Sequence, residues 1–138
     1  MYSRVYVYTD GGSRGNPGPA AIGVIVAEGG KILKEFGEYI GKATKNEAEY
    51  RAVIRGLETA GGFCRGEVVI VSDSELVVNQ LRGLYRIRKS NLLRLFNLVR
   101  KREREFERVV YMHRRRQDPL LRRADMLVNL ELNKRMSR

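Results

Sequence analysis

The chain has 138 residues, of which 43% are hydrophobic and 31% charged, and its formal net charge is +11. This length is typical of one domain, and the apolar content excludes a disordered tail. A single cysteine excludes an internal disulfide framework and a thiolate zinc cluster, and it favours a reducing compartment. No apolar run approaches the roughly 20 residues that a membrane-spanning helix needs, and no signal peptide precedes the first predicted strand, so we expect a soluble, cytoplasmic protein without membrane contact.

The excess positive charge lies in the second half of the chain. Residues 1–70 carry 9 basic and 8 acidic side chains, whereas residues 71–138 carry 18 basic and 8 acidic ones. Such a distribution favours a polyanionic partner such as nucleic acid, bound with an affinity that falls as the salt concentration rises. The alternative is a solvated arginine-rich surface that binds no partner.

Three strands are predicted at the start of the chain. Residues 2–9 are rich in β-branched and aromatic side chains, which is typical of a buried strand, and residues 10–19 are rich in glycine and proline, which predicts a turn. Residues 20–27 and 31–40 are predicted to pair as a hairpin around Glu28-Gly29-Gly30. The first three strands therefore form an antiparallel meander.

Helices and two further strands follow. Thr44 and Glu47 have capping-box spacing, and apolar residues then recur at helical spacing as far as residue 60, where Gly61 and Gly62 end the helix. Residues 67–71 are predicted to be a buried strand, 72–81 and 91–104 to be helical, and 106–112 to be an edge strand. A last helix is predicted from Asp118 and Pro119 to about residue 134, with an apolar face formed by Leu120, Ala124, Leu127 and Val128.

This order of elements predicts one α/β domain over residues 1–138, with a five-stranded mixed sheet and helices on both faces. The first helix would return the chain to a strand parallel to the first one. The carboxyl ends of the first strand and of the strand at 67–71 would then lie side by side, where open α/β sheets place their functional sites.

Four acidic residues are unbalanced in this arrangement. Asp10 is expected to end the first strand, and Asp73 follows the strand at 67–71, so both carboxylates would meet at one edge of the sheet. Glu49 lies on the inward-facing stripe of the first helix, where an acid is costly unless it is paired or binds a cation. Asp125 lies at an edge of the apolar face of the last helix, which it shares with Leu121, Val128 and Leu132.

Closely packed carboxylates repel one another, and hard divalent cations such as Mg²⁺ or Mn²⁺ relieve that repulsion. A four-carboxylate site in a basic protein therefore indicates metal-assisted hydrolysis of a phosphodiester, with two ions about 4 Å apart. Taken singly, each acid has another interpretation: Asp73 could cap the following helix, and Glu49 could pair with an arginine.

Four motifs in order resemble those of the ribonuclease H type 1 family. They are YTDGGSRGNPG at residues 8–18, TKNEAEY at 44–50, SDS at 72–74 and ADMLVN at 124–129. In this register Glu49 matches the catalytic acid of the family's motif and Glu47 is a capping residue. The short form and the AEY variant are most similar to archaeal-type members and their bacterial relatives.

The resemblance implies a ribonuclease H-like fold and an endonuclease that cuts the RNA strand of RNA–DNA hybrids. Two Mg²⁺ or Mn²⁺ ions would be held by Asp10, Glu49, Asp73 and Asp125, and the products would carry a 3′-hydroxyl and a 5′-phosphate. Some archaeal-type relatives also cut double-stranded RNA. The expected enzyme is a monomer, and its expected substrate contacts are Gly11, Gly12, Ser13, Asn16, Asn46 and Arg115.

The sequence departs from bacterial-type members at two places. The mobile histidine of those members is replaced by Arg115 at the matching spacing, and the single histidine, His113, is expected to be structural or solvent-facing. Residues 84–90 are too short for the basic handle that grips the hybrid in many members. Two basic clusters could supply that grip instead: Arg114, Arg115 and Arg116 with Arg122 and Arg123, and Arg82, Arg86, Arg88 and Lys89.

Two other functions stay open on the sequence. One is a binding module for the hybrid or for double-stranded RNA that has no useful turnover, although such a module has no need for mutually repelling acids. The other is a different ribonuclease H-like nuclease, such as a resolvase or an exonuclease, which the NPG loop disfavours.

Overall fold

The computed structural model describes residues 1–136, so residues 137 and 138 of the predicted domain lie outside the described part of the chain. Within the described part, five strands and four helices follow one another in the predicted order. They are β1 (Tyr2–Ser13), β2 (Gly18–Glu28), β3 (Lys31–Ala43), α1 (Lys45–Ala60), β4 (Cys64–Ser72), α2 (Glu75–Leu81), α3 (Ser90–Glu103), β5 (Arg108–His113) and α4 (Pro119–Met136).

The strands form one mixed sheet in the order β3-β2-β1-β4-β5. β1 pairs with β2, and β2 with β3, in antiparallel fashion, while β4 lies parallel to both β1 and β5. The predicted meander, the parallel neighbours β1 and β4, and the edge position of β5 are therefore confirmed.

The glycine-rich segment after residue 9 is mostly strand, whereas a turn was expected over 10–19. β1 runs on to Ser13 because Asp10 pairs with Gly23 of β2 and Ser13 pairs with Ala20. Residues 14–17 alone connect the two strands. The expectation that Asp10 ends the first strand is therefore wrong. At Asp10 the pairing of β1 with β4 has ended, but the pairing of β1 with β2 continues.

Side chains alternate between the two faces of the sheet, and helices cover both. On one face Val5, Val7, Val68 and Ile70 pack in a cluster with residues of α1, α2 and α3. On the other face Val69 and Val71 pack against Leu121 of α4. The helices thus lie on both faces, as predicted.

The buried stripe of α4 consists of Leu121, Ala124, Val128 and Leu132. Leu120 and Leu127, which were expected to be buried in this stripe, are only half-buried, whereas Leu121 and Leu132, which were expected at its edge beside Asp125, are buried. The observed spacing of three and four residues keeps all four side chains on one face of a 3.6-residue helix. This rotation of α4 is the one that brings Asp125 beside the sheet.

The helix termini follow local rules. The side chain of Thr44 accepts a hydrogen bond from the Glu47 amide, and the Glu47 carboxylate accepts one from the Thr44 amide, which confirms the capping box. α2 is capped by Ser74, so the reading of Asp73 as its cap does not hold. The Asp118 carboxylate caps α4 by accepting from the amides of Leu120 and Leu121. Over residues 1–136, none of the helices has the length and apolar character needed to cross a bilayer.

Candidate active site

Asp10 and Asp73 lie together at the carboxyl edge of the parallel pair. The last paired residues of β1 and β4 are Tyr8 and Val71. Asp10 comes two residues after Tyr8, so its side chain points to the same face as that of Tyr8, and it is 4% exposed. Asp73 directly follows the last residue of β4 and is partly buried.

Glu49 reaches this edge from α1. Its side chain is 2% exposed, and its Oε1 accepts a hydrogen bond of 2.9 Å from the Gly11 amide. α1 comes so close to β1 that a Cβ on Gly11 would lie 2.3 Å from the Ala48 carbonyl carbon. A glycine at position 11 is therefore required for the contact between the strand and Glu49.

α4 approaches the same place from the other face of the sheet. Gly23, the β2 partner of Asp10, has the Ala124 carbonyl oxygen 2.3 Å from the position that a Cβ would occupy. This close approach brings Asp125, the residue after Ala124, to the Asp10 carboxyl. Asp125 is half-buried, and its carboxylate is close enough to Asp10 to raise the pKa of that residue.

The four predicted acids therefore converge, but they are not equivalent. One carboxylate oxygen each from Asp10, Glu49 and Asp73 lies within 4.8 Å of the others. Asp125 is outside that group of three and joins it through Asp10. The arrangement can hold a hard cation, because carboxylate oxygens are the ligands that Mg²⁺ and Mn²⁺ prefer.

Burial and mutual repulsion change the acidity of these groups. Desolvation, followed by the charges of Asp73 and Asp125, raises the pKa of Asp10 to about 8. Desolvation, followed by the charges of Asp10 and Asp73, raises the pKa of Glu49 well above its ordinary value, although the Gly11 amide opposes this shift. A bound cation would stabilise the ionised form of these buried acids and so favour the loss of their protons.

One cationic side chain touches the cluster. Nε of Arg116 donates a hydrogen bond of 3.0 Å to Oδ2 of Asp73, and this guanidinium lowers the pKa of Asp10 in opposition to burial. The side chain of His113 is exposed, and its Nε2 lies 3.3 Å from the Asp73 carbonyl oxygen. His113 is therefore adjacent to the site. The side chain of Arg115 is exposed, and its carbonyl oxygen accepts from the Asp118 amide.

Most of the remaining predicted substrate residues lie on the α1 side, whereas Gly12 faces α4. Ser13 donates a hydrogen bond of 2.8 Å to the Ala43 carbonyl, and Asn16 accepts one of 3.1 Å from the Lys45 amide. Gly12 follows Gly11 in β1, with its backbone close to Val128 of α4. A cavity of about 130 Å³ beside α1 has a polar lining that includes Asn16, Thr44, Asn46, Lys89 and Asn91. The structure thus brings Asn16 and Asn46 together.

The two basic clusters differ in their surroundings. Arg82, Arg86, Arg88 and Lys89 are exposed in the connection between α2 and α3, which is as short as expected and carries no handle. In the other cluster Arg123 is paired with both carboxylate oxygens of Glu35, at 2.6 and 2.7 Å. The charge of Arg123 is therefore compensated by Glu35, whereas the guanidinium of Arg116 faces the acid cluster.

Sequence reasoning missed Gly23 and Asn129. An isolated glycine inside an apolar strand indicates a close backbone approach, and Gly23 could have been found in that way. Asn129 lies one helical turn after Asp125 and donates to its Oδ2 at 3.3 Å. That spacing of four residues was visible, but an asparagine on an exposed helix face carries no distinguishing pattern.

Comparisons with known proteins agree with this geometry. A protein-family model described as reverse transcriptase-like matches residues 8–130. A Halobacterium salinarum protein named ribonuclease HI is 48% identical over 101 residues, which are 72% of this chain and 50% of that protein. A Mycobacterium tuberculosis bifunctional protein is 40% identical over 110 residues, 78% of this chain and 30% of that protein.

Solved structures resemble the chain over nearly its whole length. The structure of ribonuclease H1 from Halobacterium salinarum has a TM-score of 0.89 and 39% identity, and the match covers 95% of this chain and 98% of that one. LC11 ribonuclease H1, solved in complex with an RNA/DNA hybrid, has a TM-score of 0.89 and 39% identity, with 96% and 99% covered. The first curated relatives are longer, and the match spans 30% of their length.

Proposed function

Because the chain belongs to the ribonuclease H type 1 family, we propose that it hydrolyses the RNA strand of RNA–DNA hybrids. The observation that carries the proposal is the meeting of Asp10, Glu49 and Asp73 within 4.8 Å at one edge of the sheet. Closely packed, buried carboxylates of this kind weaken a fold, and a protein that only binds a polyanion gains nothing from them.

The proposed cofactor is Mg²⁺ or Mn²⁺, with two ions per site, held by Asp10, Glu49, Asp73 and Asp125. The fit rests on the oxygen-only donor set and on the raised pKa values of Asp10 and Glu49, which mark two acids that lack compensating charge. When bound, such ions activate an attacking water and stabilise the charge that develops on the phosphate and on the leaving 3′-oxygen. The expected products carry 3′-hydroxyl and 5′-phosphate ends.

The residues of the chain prepare this site in separate ways. The Gly11 amide fixes the Glu49 carboxylate by a hydrogen bond. Arg116 fixes Asp73 and favours ionisation of Asp10. The proton that Asp10 retains near neutral pH must leave before the carboxylate binds a cation, so binding of the metal releases protons.

The proposed substrate is an RNA–DNA hybrid, with double-stranded RNA as a second substrate. The net charge of +11 and the hybrid bound to LC11 ribonuclease H1 support this class of partner. The backbone at Gly11, Gly12 and Ser13 and the side chains of Asn16 and Asn46 would contact 2′-hydroxyls, which distinguish RNA from DNA. Arg115 would contact a phosphate, since its exposed guanidinium has no acidic partner among residues 1–136.

We propose further that residues 1–138 act as one monomeric catalytic domain in the cytoplasm. The family match over residues 8–130 supports the single domain. A free, buried Cys64 is in keeping with a reducing compartment.

The test is incubation of the chain with an end-labelled RNA–DNA hybrid in Mg²⁺, in Mn²⁺ and in EDTA, beside double-stranded RNA and double-stranded DNA. We expect shortened RNA with 3′-hydroxyl ends from the hybrid in either metal and none in EDTA. Hybrid that is bound but never shortened would instead identify a binding module. Preferential cutting of duplex DNA would identify a different ribonuclease H-like nuclease.

A further inference from the structure

Asp125 is held differently from the other three acids. It lies on α4 and is half-buried, whereas Asp10 and Glu49 are 4% and 2% exposed. Nδ2 of Asn129 donates a hydrogen bond of 3.3 Å to Oδ2 of Asp125 and another of 3.1 Å to the Asp125 carbonyl oxygen. One amide group therefore ties the Asp125 side chain to the following turn of its own helix.

The orientation of that amide is set by a second residue. One terminal nitrogen of Arg14 lies 3.4 Å from Oδ1 of Asn129, and the other lies 3.4 Å from the sulfur of Met136. An amide whose oxygen accepts from arginine must present its NH₂ group elsewhere, and here that group faces Asp125. Arg14 lies in the connection between β1 and β2, and its amide donates a hydrogen bond of 2.8 Å to the carbonyl oxygen of Pro19 in β2.

We propose that Asn129 and Arg14 are positioning residues that hold the Asp125 carboxylate in place for the metal. The inference rests on the proposed function, because it takes Asp125 as a metal ligand. Groups that hydrogen-bond a ligating carboxylate reduce the freedom it loses on binding the ion, and removing such a partner typically costs 10- to 100-fold in metal affinity or activity. The pair also links Asp125 to the connection at residues 14–17, which contains Asn16 of the proposed RNA contact.

Arg14 has a competing role to be separated from this one. It is exposed and has no acidic partner among residues 1–136, so its guanidinium could instead contact a phosphate of the hybrid. A phosphate contact changes the affinity for the hybrid and leaves metal binding unchanged. A positioning role changes metal binding when no nucleic acid is present.

The experiment uses Asn129→Ala, Arg14→Ala and the double variant, with Asn133→Ala as the matched control. Asn133 is an exposed asparagine one turn further along α4, and its side chain makes no hydrogen bond within residues 1–136. Mn²⁺ binding is measured by calorimetry without nucleic acid. Hybrid affinity is measured in EDTA, the Mn²⁺ dependence of cleavage is measured at saturating hybrid, and thermal unfolding checks that each variant is folded.

We expect Asn129→Ala to weaken Mn²⁺ binding about 10-fold, and to raise the Mn²⁺ concentration for half-maximal cleavage to match. Hybrid affinity in EDTA should not change. Arg14→Ala should weaken Mn²⁺ binding by a smaller factor, and the double variant should be no weaker than Asn129→Ala alone, because both residues act through one amide.

Three results would overturn the inference while the proposed function stands. In the first, Asn129→Ala binds Mn²⁺ as tightly as Asn133→Ala does. In the second, the losses of Mn²⁺ affinity in the two single variants multiply in the double variant. In the third, Arg14→Ala loses hybrid affinity in EDTA while its Mn²⁺ binding is intact. If Asn129→Ala does not fold, Arg14→Ala alone decides between positioning and phosphate contact. An unmodified chain that binds no Mn²⁺ overturns the proposed function, and the inference with it.

Discussion

The amide of Gly11 in β1 donates a hydrogen bond of 2.9 Å to Oε1 of Glu49 in α1, across 38 residues of sequence. This contact is possible because the strand and the helix lie in direct backbone contact at that point, with no side chain between them. A buried carboxylate is thereby held by a backbone group whose position the sheet determines. The location of Glu49 thus depends on the residue at position 11 as much as on its own helix.

Replacing Gly11 with alanine should disrupt this contact. The added Cβ would lie 2.3 Å from the Ala48 carbonyl carbon and 2.5 Å from the Glu49 amide nitrogen, so β1 and α1 must move apart. We expect Gly11→Ala to lower the free energy of unfolding by about 3 kcal/mol and to reduce hybrid cleavage at least 10-fold. Denaturant unfolding and a cleavage assay measure the two effects.

Gly62→Ala is the control for this variant. Gly62 is exposed, and the nearest atom to an added Cβ is the Thr59 carbonyl oxygen at 3.5 Å, an ordinary contact. We expect this variant to stay within about 0.5 kcal/mol of the unmodified chain. A Gly11→Ala variant as stable and as active as Gly62→Ala would show that the close approach of α1 is not needed.

Asp73→Asn tests the acid cluster without changing its shape. The substitution keeps the size of the side chain but removes a charge that is within 4.8 Å of two other acids. We expect the variant to bind hybrid as tightly as the unmodified chain and to cut it roughly 1,000-fold more slowly, equivalent to ~4 kcal/mol of transition-state stabilisation. Gel-shift binding and single-turnover cleavage, measured side by side, separate the two steps.

The matched control for Asp73→Asn is Glu107→Gln, which neutralises an exposed acid next to the opposite end of β5. It should cut at the unmodified rate. Wild-type turnover by Asp73→Asn would remove this residue from the catalytic assignment.

Much of the site was predictable because its determinants are local or follow from strand direction. The capping box at Thr44 and Glu47 placed the start of α1, and the apolar stripe of α1 placed Glu49 inward. The antiparallel meander and one intervening helix predicted that β1 and β4 are parallel neighbours, which brought Asp10 and Asp73 to the same edge.

Other features depend on partners far along the chain. The glycine-rich composition of residues 10–13 indicated a turn, but pairing with β2 keeps them in a strand. The rotation of α4 is set by packing against the sheet, so the choice between Leu120 and Leu121 could not be made from a sequence in which both are apolar. The run of three arginines at 114–116 offers no periodicity that identifies which one faces the acids.

Arg116 and Arg115 form a matched pair for the next prediction. Arg116 contacts Asp73 and favours ionisation of Asp10, whereas Arg115 is exposed and has no acidic partner among residues 1–136. Arg116→Ala should raise the pKa of Asp10 further and so reduce cleavage at neutral pH by about 10-fold, with partial recovery as the pH rises. Cleavage rates at saturating hybrid, measured across a pH series, provide the readout.

Arg115→Ala should leave the cleavage rate at saturating hybrid unchanged. It should lower the affinity for the hybrid, because the proposed role of Arg115 is a phosphate contact. A loss of turnover in Arg115→Ala that matches the loss in Arg116→Ala would contradict this division. So would an Arg116→Ala variant whose pH profile coincides with that of the unmodified chain.

The raised pKa of Asp10 predicts how stability depends on pH when no metal is present. The pKa is about 8 in the folded chain and 3.8 for the group in its ordinary state. Between these values the folded state holds a proton that the unfolded state has lost, so the contribution of Asp10 to the free energy of unfolding is greatest below about pH 4 and falls as the pH rises towards 8. Glu49, whose pKa is also raised, acts in the same direction.

Asp10→Asn removes this dependence at one residue, since an amide does not titrate. In EDTA the variant and the unmodified chain should have similar stability at pH 4, and at pH 8 the variant should be more stable by on the order of 3 kcal/mol. Saturating Mg²⁺ should reduce the difference at pH 8, because the cation stabilises the ionised carboxylate and binds the folded state alone. Denaturant unfolding at both pH values, with and without Mg²⁺, gives the comparison. A difference that is the same at pH 4 and pH 8 in EDTA would mean that Asp10 ionises at its ordinary pKa, and that the four acids do not repel one another as the geometry requires.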